Sequence, residues 1–143
     1  MTDSKISVPK DLVIKLERMM CPGACPDYSL IIHGDGKVEY EGRHYVAIKG
    51  RRQRWISIAQ VKEMIMEFYR INYFSLDDIY NAVANDGAIT KTSIRVDGRY
   101  KQVINCHPSR APEDLYNLEK KLDEIVQSEK WVRDRNGRPV LDR

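Results

Sequence analysis

Three cysteines and three histidines are the side chains of this 143-residue chain best suited to metal or nucleophilic chemistry. Cys21 and Cys25 stand four apart in Cys21-Pro22-Gly23-Ala24-Cys25-Pro26, and Cys106 is followed directly by His107. Two thiolates joined by a third thiolate or an imidazole would make a zinc site from Cys21, Cys25, Cys106 and His107. Four residues is the wide end of zinc spacing, however, and no second paired knuckle exists. Adjacent Cys106 and His107 would also point to opposite faces of a strand unless the chain turned before Pro108. Cys25 could instead be a nucleophile with His33, His44 or His107 as its base, but no nucleophile elbow surrounds it. A Cys-x-x-x-Cys pair outside a βαβ unit is a poor redox motif. The reading we adopt is that these cysteines pack as small apolar groups or close a local disulfide.

Residues 43–55 form the second chemical stretch. Arg43, Lys49, Arg51, Arg52 and Arg54 occur there with no acid, alongside Tyr45 and Trp55. Arginine interleaved with an aromatic ring suits phosphate contact and base stacking, so Arg43, Arg51, Arg52, Arg54 and Trp55 are the candidate contacts of a nucleic-acid-associated protein. Residues 130–143 add further basic charge. The formal net charge is only +3, and charge runs are usually solvated faces, so this remains the alternative reading. Asp77, Asp78 and Asp86 suit turn capping better than cation binding. Gly34-Asp35-Gly36 lacks the following helix that a phosphate loop needs.

The elements that must position these residues follow from periodicity. Leu12, Ile14 and Leu16 alternate with Val13, Lys15 and Glu17, which predicts a first strand. Two prolines make residues 21–26 a stiff knuckle. Tyr28 to His33 and Lys37 to Glu41 then form a hairpin around Gly34-Asp35-Gly36. A strand over 44–48 and a turn over 49–52 are expected next. Ser57-Ile58-Ala59-Gln60 is a capping box, opening a helix that buries Val61, Met64, Ile65 and Phe68. Residues 77–86 read as an irregular turn and loop. A second hairpin surrounds Asp97-Gly98; burying Tyr100 beside Ile94 and Val96 favours a three-residue loop that pairs Val96 with Tyr100. Pro112, Glu113 and Asp114 open a last helix with the stripe Leu115, Leu118, Leu122 and Ile125.

The order β-β-β-β-α-β-β-α predicts an α+β domain: an antiparallel sheet of five to six strands with both helices on one face. Residues 11–132 are expected to form this single domain, between an N-terminal arm (1–10) and a basic tail (133–143). With 31% charged residues and no long apolar run, the composition is that of a soluble chain without a membrane partner. A cytoplasmic location with free thiols is the default expectation.

The segment Cys21-Pro22-Gly23-Ala24-Cys25-Pro26-Asp27-Tyr28 resembles the Cys-x-Gly-x-Cys-Pro-x-Tyr signature of an uncharacterised domain family, a domain of unknown function. Tyr40-Glu41-Gly42, Tyr73-Phe74-Ser75-Leu76 with Tyr80, and Asn85-Asp86-Gly87 extend the resemblance over roughly residues 12–131. Family members usually carry an aromatic residue where this chain has Pro22. The resemblance implies no catalytic residues, cofactor or reaction.

With no convincing catalytic set, the expected function is a non-enzymatic binding or interaction module. Its recognition edge would be the knuckle and neighbouring loops, with Cys21, Cys25, Tyr28, Asp86 and His107 as binding candidates. The partner is left open between a protein and a nucleic acid, no cofactor is expected, and a zinc- or thiol-dependent enzyme is the second alternative.

Overall fold

The computed structural model describes residues 7–19, 25–84 and 87–141. Seven strands form one sheet in the order β4-β3-β2-β1-β6-β7-β5. They are β1 (Val13–Met19), β2 (Asp27–His33), β3 (Lys37–His44), β4 (Gly50–Trp55), β5 (Ile79–Tyr80), β6 (Ile89–Val96) and β7 (Arg99–Cys106). All pairings are antiparallel except β5 with β7. Helices α1 (Ile58–Arg70) and α2 (Glu113–Val126) are the main ones, and α3 (Glu129–Val132) is a single turn.

Alternation along the strands decides which face is covered. Ile14 and Leu16, Leu30 and Ile32, Val38 and Tyr40, Ile94 and Val96, and Val103 are buried, whereas Lys15, Glu39 and Arg95 between them are exposed. The helices supply the matching apolar stripes, Val61, Met64, Ile65 and Phe68 from α1 and Leu115, Leu118, Leu122 and Val126 from α2. Each such fully buried side chain contributes about 1.5–3 kcal/mol. The opposite face stays open and charged. There Arg43 gathers Asp27 (2.7 Å), Glu17 (3.1 Å) and Glu41 (3.7 Å).

The α+β class, the first hairpin and α1 form as their sequences predict. The Ser57 hydroxyl accepts from the Gln60 amide at 3.1 Å while Gln60 Oε1 accepts from the Ser57 amide at 2.9 Å. Five local expectations need correction. The expected strand over 44–48 does not form: His44 ends β3, Tyr45 takes φ 56°, and Ala47 and Ile48 donate to the carbonyls of Val132 and Trp131 beyond α2. Residues 49–52 do not turn: Gly50 onward pairs with β3 as β4. Residues 77–86 contain β5, which raises the strand count to seven; the Ile104 amide reaches Asp78 O, and Lys101 bonds Leu76 O and Asp78.

The second hairpin has a two-residue turn, with Val96 opposite Arg99 and Arg95 opposite Tyr100. Asp97 and Gly98 both take positive φ (52° and 76°), the tight-turn geometry that matches strand twist. The Asp11 carboxylate accepts both turn amides, at 2.9 and 2.8 Å. Tyr100 therefore lies on the open face, 53% exposed, under the Arg95 guanidinium. In α2 the innermost residue of the last turn is Val126; Ile125 packs only at the margin of the core.

Candidate functional site

Four strands change character at the same end of the sheet. The core-facing residues run Ile14, Leu16, Arg18 along β1 and Ile32, Leu30, Tyr28 along β2. They run Ile94, Thr92, Thr90 along β6 and Val103, Asn105 along β7. The register aligns the last of each. Arg18 stands opposite Tyr28 on one side and Thr90 on the other, and Thr90 stands opposite Asn105. One lateral row is thus polar, while the row beneath it contains Leu30, Leu16, Thr92 and Val103.

Helix α2 closes over this row. Tyr116, Glu119 and Asp123, at i, i+3 and i+7, flank its apolar stripe and face the same strands. Asp123 accepts from Arg18 Nε at 2.8 Å, from the Tyr28 hydroxyl at 2.6 Å, and from Ser128. Arg18 also donates to Thr90 Oγ1 at 3.2 Å and to the Glu119 carbonyl at 3.3 Å. Glu119, only 2% exposed, accepts from Asn105 Nδ2 at 3.1 Å, and its other oxygen lies 3.2 Å from His107 Nε2. The same His107 nitrogen is 2.9 Å from Thr90 Oγ1. Ser109 bonds both Asn105 and Tyr116, and the rings of His107 and Tyr116 meet edge to face at 4.9 Å.

The electrostatics fix protonation states. Burial, reinforced by the Asp123 charge, pushes the Tyr28 hydroxyl far above its ordinary value of 10.0, so it remains a donor. Burial disfavours the Arg18 charge, but Asp123 and neighbouring groups outweigh that, and its pKa rises from 12.5. Among the described residues no buried side-chain nitrogen or oxygen lacks a hydrogen-bond partner.

Two loops are fastened to this row. Ala82 bridges Ser109, the Val83 amide donates to Pro108 O, and the His107 amide donates to Ala88 O. A side chain at Gly87 would place its Cβ 1.1 Å from the His107 carbonyl oxygen, so only glycine allows that approach. Ala82, Val83 and Ala88 are thereby tied to residues 107–109. Cys25 and Pro26 enter β2 at the same sheet end, just before Tyr28.

Of the sequence candidates, Tyr28 and His107 join one network through Asp123, Arg18 and Thr90. Cys25 is disulfide-bonded and so offers no thiolate to a metal or substrate. Cys106 is free and closes β7. Cys21 and Asp86 lie outside the described residues. Among the described residues no three His, Cys, Asp or Glu side chains are grouped to hold a metal ion. A family model described as a domain of unknown function (DUF6438) matches residues 12–126. The chain belongs to that family. The match runs from the residue before β1 to the end of α2, so every strand of the polar row and the helix over it are family structure. No curated protein matches the sequence. No helix among the described residues is long and apolar enough to cross a membrane.

The basic candidates do not gather into one patch. Arg43 is consumed by its three carboxylates. Arg51 and Trp55 sit at strand positions opposite Glu41 and Lys37, whereas Arg52 and Arg54 sit opposite Tyr40 and Val38 and therefore face the other side. Arg54 donates to the Val126 carbonyl at 2.9 Å, a cation at the negative end of α2.

Sequence reading missed Arg18, Thr90, Asn105, Glu119 and Asp123. The signal was present, since each is polar at a position its own element's period marks as inward.

Proposed function

We propose that this domain is a non-enzymatic binding module for a protein partner. Its recognition edge is the sheet end where Cys25–Pro26, residues 81–84 and 87–88, and residues 107–109 converge. The supporting observation is how fully the polar row is engaged: both Asp123 oxygens accept hydrogen bonds, one Glu119 oxygen accepts from Asn105, and the other lies against His107 Nε2. A general acid or base needs a free valence aimed at substrate, and a cysteine nucleophile needs a thiolate. Here the carboxylates are spent holding α2 and two loops in register, and Cys25 is oxidised. Polar networks of this kind favour one arrangement of the elements they join. The loops above them are thereby presented as a fixed surface, as recognition sites require.

Site-specific photocrosslinking in the native host tests this reading. A photoreactive residue at exposed Asn81 or Arg110 is expected to capture the same protein, and one at exposed Met66 on α1 to capture none. Catalytic turnover abolished by His107→Ala in a folded variant would overturn it.

A further inference from the structure

The two edges of the sheet are finished differently. At one, β5 contributes two residues and stops. At the other, β4 runs for six residues, Gly50–Trp55, without proline and without a bulge against β3. Among the described residues no strand lies beyond it. In an antiparallel ladder alternate residues of such an edge turn their N–H and C=O groups outward, and these can template another strand. Proteins blunt edges by shortening, bulging, covering or charging them. This edge is only charged, and with one sign.

Lys49, Arg51, Arg52 and Arg54 place four positive charges on residues 49–55 with no acid among them. The Arg51 side chain is 88% exposed, its carboxylate neighbour Glu41 standing 3.7 Å away. The Arg52 guanidinium folds back onto the Arg51 carbonyl. Trp55 ends the strand 58% exposed, and Ile58 at the start of α1 is 45% exposed. Beside the edge, Arg51 and Gln53 border a concavity of about 410 Å³ with Ile31 and Glu39.

These features select an occupant. A second copy pairing through β4 would bring arginines against arginines, and like charges across a ladder are destabilising. The same field favours a strand carrying carboxylates. We propose that the β4 edge binds an extended acidic segment of a partner protein by strand addition. Main-chain bonds to alternate β4 residues give affinity, carboxylates beside Arg51 and Arg52 give polarity, and an apolar residue covers Trp55 and Ile58. The β4 edge lies five strand spacings, roughly 24 Å, from β7 and two, roughly 10 Å, from β2, the strand that Cys25–Pro26 enters.

The test uses the full chain and fluorescein-labelled heptapeptides read by anisotropy. A peptide with two adjacent central glutamates flanked by valines, so that one carboxylate meets Arg51 and the other Arg52 on the opposite face, is expected to bind saturably, with Kd below about 1 mM. The same peptide N-methylated at alternate amides keeps its charge but loses ladder donors, and is expected to bind at least roughly ten-fold more weakly. Arg51→Glu with Arg52→Glu, both exposed and so compatible with folding, should weaken the acidic peptide at least roughly ten-fold and admit a lysine–valine peptide. Absence of saturable binding overturns the proposal. So does equal binding of the N-methylated peptide, which would mean charge alone. Tighter, arginine-dependent binding of a single-stranded oligothymidylate overturns it in favour of a nucleic-acid face.

Discussion

Asp123→Ala removes the acceptor shared by Arg18, Tyr28 and Ser128. The Arg18 side chain is 26% exposed and that of Asp123 20%, so the pair is mostly desolvated. Removing one partner of such a pair leaves an uncompensated charge and costs about 3–5 kcal/mol. The orphaned Tyr28 hydroxyl, on a residue 4% exposed, belongs to the same loss. A domain of this size has about 5–15 kcal/mol of stability, so the variant folds but is much weakened. With a urea slope of about 2 kcal/mol/M, a loss of ~4 kcal/mol lowers the midpoint by ~2 M.

The diagnostic comparison replaces the cluster with apolar groups: Arg18→Met, Asp123→Leu and Tyr28→Phe together. Desolvation then has no charge to penalise, and such swaps are often close to neutral. The triple variant is therefore expected to be more stable than Asp123→Ala alone, the strong non-additivity of residues in one network. Urea unfolding followed by circular dichroism measures both. A cost below about 1 kcal/mol for Asp123→Ala, or a triple variant less stable than the single, would refute the view of this row as a closed electrostatic unit.

Two further outcomes follow from the same geometry. Burial raises the hydroxyls of Tyr28, Tyr40 and Tyr73 above 10.0, that of Tyr40 to about 12 against the opposing charges of Arg43 and Arg52. The folded state thus keeps protons that the unfolded chain sheds; their stabilisation is complete below about pH 10 and is lost as pH climbs through the folded values. Three of the eight tyrosines should ionise only with alkaline unfolding, and a single reversible phenolate transition of all eight with circular dichroism unchanged would contradict this. Gly87→Ala must displace the His107 carbonyl or the loop. It is expected to cost about 1–3 kcal/mol, a Tm drop of about 3–10 °C, and an unchanged Tm would show the loop is not seated there.

Local rules fixed most of the elements and little of their assembly. The period of Val61, Met64, Ile65 and Phe68 predicts the inward face of α1, and Ser57 with Gln60 predicts its start. At the second hairpin, burial of Tyr100 favours the longer loop and turn chemistry the shorter one, and turn chemistry prevails. Asp97-Gly98 prefers the two-residue turn, and Asp11, 86 residues distant, caps it. Residues 45–48 leave the strand for a similar reason, since the carbonyls of Val132 and Trp131 that receive the Ala47 and Ile48 amides are invisible to any local window. At the site, Tyr28 and His107 were legible as candidates, but their connection was not. It requires β1 to sit between β2 and β6, a long-range fact that places Arg18 beside both Tyr28 and Thr90.

The polar row costs stability relative to an aliphatic one, because buried charge rarely recovers its full desolvation penalty. Leu30, Leu16 and Val103 in the next row show that these strands can accommodate apolar residues at inward positions. What the polar row supplies instead is direction. Asp123 admits one angular setting of α2 that serves Arg18 and Tyr28 together, and Glu119 ties that setting to Asn105 and His107. Through His107 and Ser109 the setting reaches Ala82, Val83 and Ala88. Stability and loop placement are thus separable in the triple variant described above: its unfolding midpoint should hold while photocrosslinking from Arg110 declines. Retention of both would mean that the row orders nothing that binding uses.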